Sequence, residues 1–239
     1  MIVKAATLRA VRRLPALVLL LLALAGAGCG GDDDSSEDAS SAPATEAQAP
    51  ASPAPGECEQ VEAPAAKPDG GQQKPTESLD PDKTYEVEFA TNCGAFTIRL
   101  DQKTSPATAA SFASLARKGF FDDTFFHRIV PGFVIQGGDP TGSGQGGPGY
   151  ATVDRPPANA RYTRGVVAMA KSEPEAPGTA GSQFYVVTGQ DAGLPPAYAL
   201  LGRVSAGLEV VEAIGELGDP ATEQPTQVVA IEKATLRER

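Results

Sequence analysis

The chain has 239 residues, a hydrophobic fraction of 41% and a formal net charge of -10. That length and apolar content allow one well-packed domain with extra segments attached. The acidic balance and the lack of a Lys/Arg cluster in the folded region exclude a nucleic-acid partner, because phosphate contacts need clustered cations. One His and three Cys (Cys29, Cys58 and Cys93), with no C-x-x-C pair, exclude a zinc site of the usual spacing. No metal and no cofactor is expected.

Residues 1–28 carry Lys4, Arg9, Arg12 and Arg13 and no acid, followed by the apolar run Leu14 to Ala27. A basic start, a short apolar stretch and small residues are the marks of a signal peptide. The run is shorter than the ~20 residues of a spanning helix. Its end, Ala25-Gly26-Ala27-Gly28-Cys29, resembles the lipobox of bacterial lipoproteins, with Gly26 where Leu is usual. The resemblance implies lipid on Cys29 and a protein held at the extracytoplasmic face of the cell membrane. The alternative is an ordinary secretory signal cut near the same place.

Residues 29–82 read as a tether. Asp32-Asp33-Asp34 opens it, Ala, Pro, Ser, Gln and Glu dominate it, and Val61 and Leu79 stand alone as larger apolar side chains. So little apolar surface cannot offset the entropy of ordering, so the segment is expected to be disordered. Cys58 lies in this tether and Cys93 in the domain that follows. Two leftover thiols in an oxidising compartment tend to pair, so a Cys58–Cys93 disulfide is expected to staple the tether to the domain.

From residue 83 to 239 the sequence reads as one folded domain. Tyr85 to Phe89 and Ala95 to Leu100 alternate apolar and polar around the turn Asn92-Cys93-Gly94, the pattern of a β-hairpin. Ser105-Pro106 predicts an N-cap with proline at the first helical position, and Gly119 the end of that helix. Short apolar segments follow at 133–135, 165–169, 184–187 and 199–201. A second helix is expected at 208–217 and a last strand at 228–234. Many short strands, two helices and glycine-rich loops give a mainly β fold: a closed antiparallel barrel capped by two α-helices.

Three blocks carry a family resemblance. Phe126-His127-Arg128-Ile129-Val130-Pro131-Gly132-Phe133-Val134-Ile135-Gln136-Gly137-Gly138-Asp139 closely resembles the cyclophilin signature. Gly165 to Ala170 and Gly181-Ser182-Gln183-Phe184-Tyr185 are similar to two further blocks, in the family's order. The resemblance implies a cyclophilin-like barrel that catalyses cis–trans isomerisation of X-Pro bonds, with no metal, cofactor or nucleophile. It implies that Arg128 is the catalytic donor. Phe133 and Val134 would floor the proline pocket, and Gln136 and Gln183 would hold Arg128 and the substrate backbone. Ala170 and Lys171 would flank the peptide, Tyr185 would form a second wall, and Leu194 and Tyr198 the rim. His127 is counted among the substrate-binding residues, flanking the site without a proton-transfer role. Val134, Lys171, Tyr185 and Tyr198 stand where the family often has Met, Asn, Phe and His.

The implied partners are proline-containing segments of exported proteins, and the membrane through the lipid. A monomer is expected, since nothing in the sequence marks an oligomer face. Two rival readings remain: an anchored module that binds proline peptides with little turnover, and a purely structural envelope lipoprotein. Ser182 is not a hydrolytic nucleophile, because the only His lies in another motif.

Overall fold

The computed structural model of the chain describes residues 57–239. The expected signal segment, Cys29 and the first half of the expected tether lie outside the described residues. Among those described, no helix is long and apolar enough to cross a membrane.

The chain first forms the hairpin β1 (Tyr85–Thr91) and β2 (Gly94–Leu100), paired in register from Glu86 opposite Arg99 to Thr91 opposite Gly94. Gly94 has φ +110°, a conformation closed to most side chains, which is why the turn needs glycine there. Helix α1 (Pro106–Arg117) follows. Pro106 opens it, and Gly119, at φ +67°, turns the chain away after it. The cap differs from expectation. The Ser105 hydroxyl is buried and caps nothing, while the Asp154 carboxylate accepts from Thr108 N–H at 2.6 Å. An acceptor brought from 46 residues away replaces the local one.

The strands β3 (Thr124–Phe125), β4 (Arg128–Val130), β5 (Val134–Gly137), β6 (Thr152–Val153), β7 (Val166–Met169), β8 (Thr179–Ala180) and β9 (Phe184–Val187) come next. They are followed by β10 (Leu200–Ala206), helix α2 (Leu208–Gly215) and β11 (Ala230–Glu238). Nine strands form one antiparallel sheet in the order β3-β11-β1-β2-β10-β7-β9-β5-β4; β6 and β8 pair separately. The two edges of the large sheet, β3 and β4, are joined by only Phe126 and His127. The sheet therefore curls round until the chain itself links its ends.

Period-two alternation sorts the side chains to the two faces. In β7 and β9, Val167, Met169, Phe184 and Val186 enter the main core, while Val166, Ala168, Tyr185 and Val187 join a second cluster on the outer face. The main core is aromatic, with Phe89, Phe96, Phe112, Phe121, Phe126 and Phe184 all fully buried. Helices α1 and α2 both contribute side chains to it, Phe112 and Leu115 from α1 and Val211 and Ile214 from α2.

The expected tether needs correction in its second half. Residues 57–82 run along the folded domain rather than forming a spacer. Half-buried positions recur at Cys58, Val61, Pro64, Lys67 and Gly70. From Cys58 to Gly70 every third residue faces the domain, which is the period of a polyproline II helix. Backbone bonds tie the strap down: Glu59 N–H to Asn92 O (2.8 Å), Lys67 N–H to Pro140 O (2.8 Å) and Gly70 N–H to Gly147 O (2.9 Å). Lys67 Nζ also donates to the carbonyls of Phe120 (3.0 Å) and Asp122 (2.5 Å), just beyond α1. Apolar burial, whose lack in this segment predicts disorder, is not what holds it. This strap is held by borrowed backbone partners and by a disulfide between Cys58 and Cys93.

Candidate active site

The sheet register assembles the site. Arg128 on β4 lies opposite Gln136 on β5, Gln136 opposite Tyr185 on β9, and Tyr185 opposite Ala168 on β7. Directly opposed residues share a face, so this row crosses four strands on the outside of the curled sheet. Phe133, Val134, Ala170, Lys171, Leu194 and Tyr198 close around it. Together with Arg128, Gln136 and Tyr185 they line an open cavity of about 280 Å³. Nine of the residues expected from the sequence thus share one cavity.

Gln183 lines an adjoining cavity of about 560 Å³, which shares Gln136, Ala170 and Lys171 with the first. His127 lines neither. Adjacent residues of an extended chain point to opposite sides, so turning Arg128 to the cavity turns His127 away. The imidazole sits beside Gly144, and neither ring nitrogen has a hydrogen-bond partner. Burial lowers its pKa; the Asp139 carboxylate opposes that shift and the Arg128 charge adds to it. His127 is therefore a neutral neighbour, and its expected place in the substrate site is corrected.

A relay of side chains fixes the cation. Arg128 Nη1 donates to Gln136 Oε1 at 3.4 Å, and Gln136 Nε2 donates to Gln183 Oε1 at 3.0 Å. Gln183 Nε2 in turn donates to the carbonyls of Gly144 (3.1 Å) and Gly146 (2.9 Å). The guanidinium carbon lies 6.0 Å from the centroid of the Phe133 ring, which forms the apolar floor beside it.

Two further side chains contribute that none of the three motif blocks contains. Tyr162 accepts from Tyr198 N–H (3.0 Å) and donates to Tyr198 O (2.7 Å), so it sets the rim tyrosine in place. The rings of Tyr162, Tyr185 and Tyr198 pack together, with Tyr185 and Tyr198 edge-on at 5.7 Å. Burial pushes the Tyr185 phenol pKa far up, and its hydroxyl has no partner, so the residue acts as a hydrophobic wall.

The second is Glu223, whose Oε2 accepts from Arg128 Nε at 2.6 Å. Its backbone has φ +59°, unusual for Glu, and its carbonyl accepts from Ile129 N–H at 2.9 Å. Nothing local marks it, because it lies 95 residues from Arg128. With Nε engaged by Glu223 and Nη1 by Gln136, Nη2 is left to face a substrate. Glu223→Ala is expected to lower kcat/KM for a prolyl peptide roughly 3- to 10-fold, the worth of a charge-assisted bond discounted for its exposure. A variant with wild-type kcat/KM would show that the contact is incidental.

The family model described as "Cyclophilin type peptidyl-prolyl cis-trans isomerase/CLD" matches residues 86–236. Peptidyl-prolyl cis-trans isomerase CYP18-2 of Arabidopsis thaliana is 37% identical over 150 residues, which cover 61% of this chain and 90% of that protein. Peptidyl-prolyl cis-trans isomerase-like 1 of Bos taurus is 36% identical over 164 residues, covering 67% and 95%. A crystal structure of a Cryptosporidium parvum cyclophilin type peptidyl-prolyl cis-trans isomerase superposes with a TM-score of 0.57 at 28% identity, covering 64% of this chain and 98% of that one. A second structure of that protein, in the presence of the dipeptide Ala-Pro, gives a TM-score of 0.56 at 29% identity. A matched model spanning most of the chain, over the same strands that build the cavity, places this chain in the cyclophilin-type peptidyl-prolyl cis-trans isomerase family.

Proposed function

We propose that the protein accelerates cis–trans rotation of X-Pro bonds in exported polypeptides and so assists their folding. The observation that carries this reading is the oriented Arg128 guanidinium at the edge of an open cavity of about 280 Å³ that Phe133 and Val134 also line. An X-Pro amide resists rotation because its C–N bond has partial double-bond character, with a barrier of roughly 18–20 kcal/mol. Twisting the bond localises a lone pair on the prolyl nitrogen. A donor that meets this lone pair only in the twisted state lowers the barrier without binding the planar substrate more tightly.

Arg128 suits that task because it is always charged and its donors form a rigid fork. Glu223 and Gln136 hold the fork from two sides. The proline ring would rest on Phe133 and Val134, between Tyr185, Leu194 and Tyr198. The Ala170-Lys171 backbone would run beside the residues before the proline. No proton changes hands, so a neutral His127 outside the cavity is no handicap. The test is catalysed isomerisation of a short X-Pro peptide by the full chain. Acceleration is expected; tight binding of the peptide without acceleration would put the binding-module reading in its place.

The proposed location is the extracytoplasmic face of the cell membrane, through lipid on Cys29. The signal-like residues 1–28 support this, as does the Cys58–Cys93 bond, which suits an oxidising compartment. In a bacterial host, the wild-type chain is expected to incorporate labelled palmitate and to fractionate with membranes. Cys29→Ala is expected to do neither. Equal membrane recovery of both would sink the anchor.

A further inference from the structure

The strap lies ahead of the family match, which begins at residue 86. It lies across the loop from Asp139 to Gly149, whose carbonyls at Gly144 and Gly146 hold Gln183. Two carboxylates hold adjacent N–H groups of that loop, one from within it and one from the strap. The fully buried Asp139 accepts from Gly146 N–H at 3.1 Å, and Asp69 of the strap accepts from Gly147 N–H at 2.8 Å. Gly70 N–H donates to Gly147 O at 2.9 Å, and Gln72 N–H to Pro148 O at 3.0 Å.

Strap and loop also meet backbone to backbone. A Cβ on Gly149 would stand 3.0 Å from Gly70 Cα and 3.1 Å from Gly71 N. Only glycine allows that approach. The contacts are therefore continuous from the strap to the cation: Asp69, Gly147, Gly146, Gln183, Gln136, Arg128. Asp69 also lines the cavity of about 560 Å³ that adjoins the proline pocket.

We propose that Asp69 is a positioning residue for catalysis, and that the strap is a structural part of the active site. By fixing the Gly144–Gly147 carbonyls it holds the Gln183 amide, and through Gln136 it holds Arg128 at the angle that meets the twisted bond. The kinetic side of this proposal rests on the isomerase reading. The structural side does not.

The experiment compares full-chain wild type with Asp69→Ala and Asp69→Asn. Asn keeps an acceptor for Gly147 N–H, while Ala removes it, and the site is exposed enough that folding is not at risk. Two readouts are taken: peptide isomerisation, and the side-chain amide NMR signals of Gln183. Asp69→Ala is expected to lose roughly 3- to 10-fold in kcat at nearly constant KM, and to shift the Gln183 signals. Asp69→Asn is expected to match wild type in both. Unshifted Gln183 signals in Asp69→Ala would overturn the proposal, as would an Asn variant that loses as much kcat as Ala. If wild type itself does not accelerate isomerisation, the isomerase reading fails, and the NMR comparison alone decides whether the strap acts on the relay.

Discussion

Arg128→Ala is expected to lower kcat/KM for a prolyl peptide by roughly 10²- to 10³-fold, the usual effect of removing one pre-positioned donor at a transition state. The loss should fall on kcat. The apolar floor that holds the proline ring, Phe133 and Val134 with Tyr185 behind them, is untouched by the change. Folding should survive, because the Arg128 side chain is 32% exposed and its partner Glu223 is 47% exposed, so water can solvate the carboxylate left behind. Arg128→Lys should recover only part of the rate. It restores a charge, but a single ammonium cannot hold Glu223, reach Gln136 and face the substrate together. The measurement is protease-free peptide isomerisation, alongside circular dichroism of each variant. A folded Arg128→Ala protein with near wild-type kcat/KM would refute the assigned role.

Phe89→Ala is expected to cost about 3–5 kcal/mol of stability, in the range for deleting a fully buried aromatic ring. Phe89 is the hub of the core. Its ring lies 5.2 Å from Phe96, 5.3 Å from Phe184, 6.0 Å from Phe121 and 6.2 Å from Phe112. Those partners belong to β2, β9, the segment after α1, and α1 itself, so one cavity would loosen four elements at once. The surrounding strands are fixed by ladder hydrogen bonds and cannot collapse onto the void. Thermal unfolding under non-reducing conditions should show a midpoint lower by roughly 10 °C. A shift of only a degree or two would mean that the core repacks, and that its aromatic cluster is less rigid than the ring geometry implies.

Local signals in the sequence located much of this structure. The uninterrupted run Phe184-Tyr185-Val186-Val187 is β9, and Pro106 and Gly119 mark the two ends of α1. The three motif blocks hold six of the nine cavity residues because strands that neighbour in the sheet carry most of them side by side; Lys171, Leu194 and Tyr198 lie outside the blocks and came from the wider family resemblance. What was illegible depends on distance along the chain. The cap of α1 comes from Asp154, the clamp on Arg128 from Glu223, and the anchor of the glycine loop from Asp69. β11 continues to Glu238, four residues past the expected end, because pairing with β1 persists where the alternation of Arg237 and Glu238 gives no apolar cue. The strap escaped notice for a related reason. A chain that touches its neighbour once in three residues needs almost no apolar side chains to stay down, so composition argues for disorder where the partner surface imposes order.

The Cys58–Cys93 bond also decides how mechanical load would enter the molecule. Cys93 sits in the tight turn between β1 and β2, strands that lie in the interior of the sheet order between β11 and β10. Tension arriving from the chain ahead of residue 57 passes through the sulfur bridge into that turn. From there it spreads into two strands whose hydrogen bonds on both sides must shear together. The strap beyond Cys58 carries none of it. Without the bridge, the same tension would peel the strap one contact at a time, reaching Asp69 and the glycine loop early. With it, the groove is decoupled from any pull on the preceding segment.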